Sequence, residues 1–163
     1  MINAERINCY SPYIVVQTSE LSVHFATKSG VLYEVGFTPD YSLGIEGVYQ
    51  FYIQDINHSS HEKDELIRDT VWAILEDFFF ANEYAMLYIC DVNDGRQDAR
   101  NRLFKLWFTS YAHKELYKAL SAEATYLGES YYATLIVKAT NPLLQTFADK
   151  FKEFEENVNN KIS

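Results

Sequence analysis

The 163-residue sequence predicts an α+β fold: a single mixed, mostly antiparallel sheet of six to seven strands with three covering helices, all in one domain spanning residues 1–163. Three observations carry this prediction. Apolar and polar residues alternate through stretches that precede Asn57, which is the period of half-buried strands. Ala85 to Cys90 is apolar or nearly so without alternation, as in a strand covered on both faces. The C-terminal stretch carries an apolar stripe at helical spacing. Composition agrees, because 48% hydrophobic residues supply a substantial core and thirteen Tyr with eleven Phe favour strands and large core side chains.

Taken in order, Tyr13 to Gln17 follows Pro12 and has the character of an edge strand. Leu21, Val23 and Phe25 alternate with Ser22, His24 and Ala26 to mark the next strand, and Lys28-Ser29-Gly30 supplies a turn with glycine available for a positive φ. Val31, Tyr33, Val35 and Phe37 continue the alternation. Pro39 to Gly47 is a loop by its turn residues, and Val48 to Ile56 closes an antiparallel meander. Ser59 with Glu62 has the form of a capping box, and Ile67, Val71, Ile74, Leu75 and Phe78 follow at helical spacing, so a helix is expected from about Glu62 to Ala81. Ala85 to Cys90 is expected in the middle of the sheet. Asp94, with Gln97 three residues later, opens a helix running to about Tyr111. Tyr117 to Thr125 combines helix-favouring Leu, Ala, Lys and Glu with strand-favouring flanks, and is assigned as a strand. Gly128 marks a turn before the strongly β-prone Tyr131 to Thr140. Asn141-Pro142 then opens a helix whose Leu143, Leu144, Phe147, Phe151, Phe154 and Val158 lie opposite Lys150, Lys152, Glu155 and Glu156.

Charge and cysteine usage exclude several classes. A net charge of −9 lacks the basic footprint that nucleic acid or an anionic membrane surface requires. No apolar run reaches the ~20 residues of a membrane span, and the N-terminal residues lack a targeting pattern, so a cytoplasmic protein is expected. Cys9 and Cys90 are too far apart and too few for a disulfide framework or a zinc site, and are expected as buried free thiols.

The element order resembles the core of the GNAT acetyltransferase-like fold over about Leu21 to Thr140: three antiparallel strands, cofactor helix, strand, helix, two strands. Ala99 to Phe108 is similar to that superfamily's Ala-x-x-Leu-Tyr-x-Lys-x-Gly-Phe helix, and Ile89 to Phe104 resembles an uncharacterised family of small bacterial proteins with an Ile-Cys-Asp-x-x-Asp-Gly-Arg-Gln-x-x-Arg-Asn-Arg-Leu-Phe core. The GNAT resemblance implies acetyl-CoA as cofactor and an acyl-CoA-dependent N-acyltransferase activity. Such enzymes hold the pyrophosphate in a glycine-bearing loop whose backbone amides approach the phosphates. Here Asn57 to Arg68 has no glycine and carries Glu62, Asp64 and Glu65, and the position of the superfamily's tyrosine acid is Phe104. The residues therefore favour a GNAT-like shape without that chemistry and without a cofactor. A divergent N-acyltransferase is the alternative.

On a helical wheel Arg100 falls within the apolar arc formed by Ala99, Leu103, Phe104, Leu106, Trp107 and Tyr111, whereas Arg102 and Lys105 lie opposite. An inward guanidinium needs a carboxylate or carbonyl partner, and Asp91 and Asp94 are nearest in sequence. Two readings follow. Arg100 is either an internal ion pair fixing the strand-to-helix turn, or forms with Arg96 and the helix N-terminus a pocket for a small anion or a partner protein's carboxylate. The location beyond the carboxyl end of a central strand suits a ligand. His58 and His61 with Asp64 and Glu65 form a solvated helix start rather than a metal site, and the spacing of Asp91, Asp94 and Asp98 is not that of a calcium loop. The phenylalanines of the last helix are core if the helix covers the sheet, and a homodimer or partner surface if it does not.

Overall fold

Val23 and Phe25 on one strand and Val31, Tyr33, Val35 and Phe37 on the next are all buried, so the alternation places one face of each strand in a core. In the computed structural model, which describes residues 1–56, 64–89, 107–111, 113–126 and 129–162, these strands are β2 (Ser22–Ala26) and β3 (Leu32–Pro39). They pair antiparallel with Val23 opposite Val35 and Phe25 opposite Tyr33. The turn between them uses Gly30 at φ 85°, a conformation open to glycine at no steric cost.

The first strand, β1 (Val16–Ser19), starts later than the expected Tyr13 because the Tyr13 N–H is taken by the Thr70 hydroxyl (3.3 Å) instead of a sheet partner. It is an edge strand as expected. All four residues are exposed, and the register slips between Gln17 and Ser19, a bulge of the kind that blunts an open edge. β4 (Val48–Asp55), β5 (Ala85–Ile89), β6 (Tyr117–Tyr126) and β7 (Glu129–Lys138) complete an open seven-stranded sheet of order β1-β2-β3-β4-β5-β7-β6. β5 runs parallel to β4 through Val48–Ala85, Tyr49–Met86 and Gln50–Leu87, and antiparallel to β7. The sheet is thus mixed and mostly antiparallel. β5 is interior, with Ala85, Met86 and Leu87 fully buried, but β4 holds the middle place, because only two strands, β7 and β6, lie beyond β5 against four on its other side.

The helices are α1 (Ala4–Asn8), α2 (Glu65–Ala81) and α3 (Leu144–Ile162), with residues 107–110 also helical. α1 has no counterpart among the expected elements. Asn3 caps it by accepting the Arg6 N–H (3.0 Å). α2 begins at Glu65, not Glu62, because the capping side chain is that of Asp64; Ser59 and Glu62 lie outside the described residues. Before α3 the Asn141 side chain accepts the Leu143 N–H (2.8 Å), while Leu143 itself is exposed, so the inward stripe starts at the half-buried Leu144. Cys9 is exposed rather than buried, since α1 turns only Ile7 inward; Cys90 lies outside the described residues.

The chain forms two compact units, Met1–Thr38 with Phe51–Glu83 and Pro39–Gln50 with Tyr84–Ser163. In the first, α2 buries Val71, Ile74, Leu75 and Phe78, and the Phe37 and Phe78 rings stack with centroids 4.1 Å apart. α1 is clasped to α2 by Asp77, whose carboxylate accepts from Arg6 Nε (2.7 Å), Arg6 Nη2 (3.2 Å) and the Asn3 N–H (2.8 Å). In the second, Leu43, Val48, Leu87, Leu135 and Val137 pack with Phe147 and Phe151 of α3. Those two phenylalanines therefore cover the sheet, as one of the two sequence readings has it. Among the described residues no helix is long and apolar enough to cross a membrane.

Candidate functional site

A phosphate held at the start of α2 would need free backbone amides. The sequence supplies a carboxylate there instead. Asp64 has extended backbone angles, its Oδ1 accepts the Leu66 N–H (2.9 Å), and its Oδ2 accepts the hydroxyl of Tyr13. Tyr13 is held in turn by the Lys28 N–H, which donates to its oxygen (3.2 Å). Burial pushes the Tyr13 phenol above its ordinary pKa, and the bond to Asp64 pushes it the same way, so it stays a donor to the carboxylate. Glu65 follows in the first turn, exposed. The helix start is thus satisfied from within the chain and negatively charged, which is the reverse of an anion cradle.

A second feature lies in the other unit, at the carboxyl end of β5. On the sheet face beneath α3, the pair Leu120–Leu135 is followed along β6 and β7 by Ala122–Ala133. Leu135 is fully buried, whereas the two alanines, with much smaller side chains, are only partly buried. Phe154 and Val158, one turn apart on α3, stay half-buried where Phe147 and Phe151 are buried completely. The result is an apolar groove of about 350 Å3 walled by Ile89, Ala122, Ala133, Phe154 and Val158. Tyr131, Glu155 and Asn159 also line it, as do Glu123 and Tyr132, a directly opposed pair whose side chains alternate to the other face of the sheet.

The site residues expected from sequence, Asp91, Asp94, Arg96 and Arg100, lie outside the described residues, as do His58, His61 and Phe104. The described part of β5 ends at Ile89, two residues before Asp91. No cluster of three or more His, Cys, Asp or Glu capable of holding a metal occurs among the described residues. The groove was not among the expected sites. Its signal in the sequence is Ala122 and Ala133 on a face that carries Leu120 and Leu135 next to them, and it becomes visible only once the register sets them opposite each other.

Fold and site together define an α+β module with a capped, acidic helix start in one unit and an apolar groove beside a sheet end in the other. Residues 63–153, more than half of the chain, match a family of unknown function (DUF6169), and the protein belongs to that family. No curated protein and no solved structure matches the chain.

Proposed function

We propose that the protein is a non-catalytic, GNAT-like binding module of the bacterial cytoplasm, folded as one domain over residues 1–163. Its ligand is a small anion or a carboxylate of a partner protein. Its binding residues in this proposal are Arg96, Arg100, Asp91 and Asp94, in the stretch that follows β5 in the sequence. The observation that carries the non-catalytic part is the start of α2. Asp64 occupies the amide that a pyrophosphate would need, and Glu65 adds a second negative charge. The element order supports the GNAT-like part: strands, helix, interior strand, two further strands.

Thermal-shift titration with acetyl-CoA tests the proposal. No saturable stabilisation is expected. Saturable stabilisation would replace this reading with that of a divergent acyl-CoA-dependent N-acyltransferase. Succinate and inorganic phosphate are the probes for the anion site, with loss of binding expected in Arg96→Met and Arg100→Met. If both anions bind these variants as they bind the parent, the arginines are not the site. A homodimer is compatible with this reading, and light scattering measures it directly.

A further inference from the structure

We propose that the groove beneath the C-terminal half of α3 is a binding site for a small amphiphilic amine, an apolar aliphatic or aromatic body carrying one protonated nitrogen. The inference rests on the groove alone and is independent of the arginine site. A volume of about 350 Å3 falls within the size range of small-molecule pockets, which are mostly apolar with a few polar groups at fixed places. The walls here are hydrocarbon from Ile89, Ala122, Ala133, Phe154 and Val158, so the body of the ligand must be apolar.

The rim decides the head group. Glu155 from α3 is the charged side chain on the groove's face among the described residues, and no Lys, Arg or His among them lines it. Its carboxylate makes no ion pair or hydrogen bond among the described residues; Lys150, on the same helix, is paired with Glu153 (3.5 Å). An anionic head would meet a like charge. A neutral head would leave a carboxylate that is partly dehydrated by the bound body without a donor in exchange. A protonated amine satisfies it through a charge-assisted hydrogen bond, and the ring of Tyr131, on the same sheet face as Ala133, is suited to the same cation. Glu155 is half-buried and adjoins Phe154, so head and body contacts come from one turn of helix.

Isothermal titration of the full chain at neutral pH with phenylbutylamine, phenylbutanol and phenylbutanoate tests this, because the three share a body and differ in the head. Saturable binding is expected for the amine, with the carboxylate at least about tenfold weaker, the scale of one charge-assisted hydrogen bond. Glu155→Gln should weaken the amine by about tenfold and leave the alcohol unchanged. Ala133→Leu should fill the groove and abolish binding of amine and alcohol alike. If Ala133→Leu does not fold, the Glu155→Gln comparison decides alone. Equal affinity for amine and carboxylate, or an amine affinity untouched by Glu155→Gln, overturns the proposal. So does a chain that binds none of the three compounds and whose Ala133→Leu variant loses a dimer seen by light scattering, since the groove is then a subunit interface.

Discussion

Removing either member of the Arg6–Asp77 clasp should destabilise the protein, and the two losses should be unequal. The Asp77 side chain is 6% exposed and accepts three hydrogen bonds, two of them from Arg6; the Arg6 side chain is 43% exposed. Arg6→Ala leaves a nearly buried carboxylate with only the Asn3 N–H, close to the case of an uncompensated buried charge, for which costs run about 3–5 kcal/mol. Water entering the space vacated by Arg6 and the surviving bond place the expected cost at the low end, about 3 kcal/mol. Asp77→Ala removes the buried charge altogether and releases Arg6 to solvent. Its cost is the part-buried Asn3 N–H left without its acceptor and the lost packing, about 2 kcal/mol. The double variant should cost no more than Asp77→Ala alone, because charge and counterion leave together. Urea denaturation at pH ~7, followed by far-UV circular dichroism and by tryptophan fluorescence, measures all three. An Arg6→Ala variant within about 0.5 kcal/mol of the parent, or one more stable than Asp77→Ala, would refute the reasoning.

Three further outcomes are expected. Burial is the leading cause that holds the phenols of Tyr13, Tyr33, Tyr49 and Tyr52 above their ordinary pKa, so the folded state keeps these protons more tightly than the unfolded chain. Their contribution is therefore present below pH ~10 and lost as pH rises from there through the folded values; the urea midpoint should fall in that window, less steeply in Tyr33→Phe, and an identical slope in that variant would contradict the assignment. Gly36→Ala would set a Cβ 2.6 Å from Tyr52 Oη and 2.8 Å from the Leu21 carbonyl oxygen. That carbonyl is already fixed by the Phe37 N–H (2.9 Å), so a loss of about 2–3 kcal/mol is expected, exceeding that of Gly30→Ala, whose surroundings are open. Asp64→Ala should cost about 1 kcal/mol through loss of the α2 cap, with Asp64→Asn retaining most of the stability; equal losses would show that capping is not its role.

The sheet strands were legible because Val23, Phe25, Val35 and Phe37 follow a period that no helix shares, and β5 because three consecutive buried residues need cover on both faces. α3 was legible from Phe147 and Phe151. α1 was not. It has five residues, one of them buried, so no periodicity can form, and its stability comes from Asp77, seventy-one positions from Arg6 along the chain. The start of α2 was misplaced because Ser59–Glu62 and Asp64 both satisfy capping chemistry, and the choice depends on Tyr13 reaching Asp64 across the fold. The exposure of Cys9 follows from which side of α1 faces α2, which a short helix does not encode. The groove depends on a strand register, and register is a property of two segments together.

The two compact units are interleaved along the chain, each assembled from two separate segments, and β4 passes from one unit to the other at Gln50–Phe51. A boundary drawn from sequence similarity therefore cuts differently from one drawn on the core. A fragment limited to residues 63–153 would keep β5, β6 and β7 but lose Leu43 and Val48 from the cluster that seats Phe147 and Phe151. It would also lose β4, the parallel neighbour of β5, and turn a buried strand into an exposed edge with Ala85, Met86 and Leu87 along it. Such an edge is a template for aggregation. The region that defines the family is thus not a piece that can be excised and studied apart, and experiments on its function need the preceding strands attached.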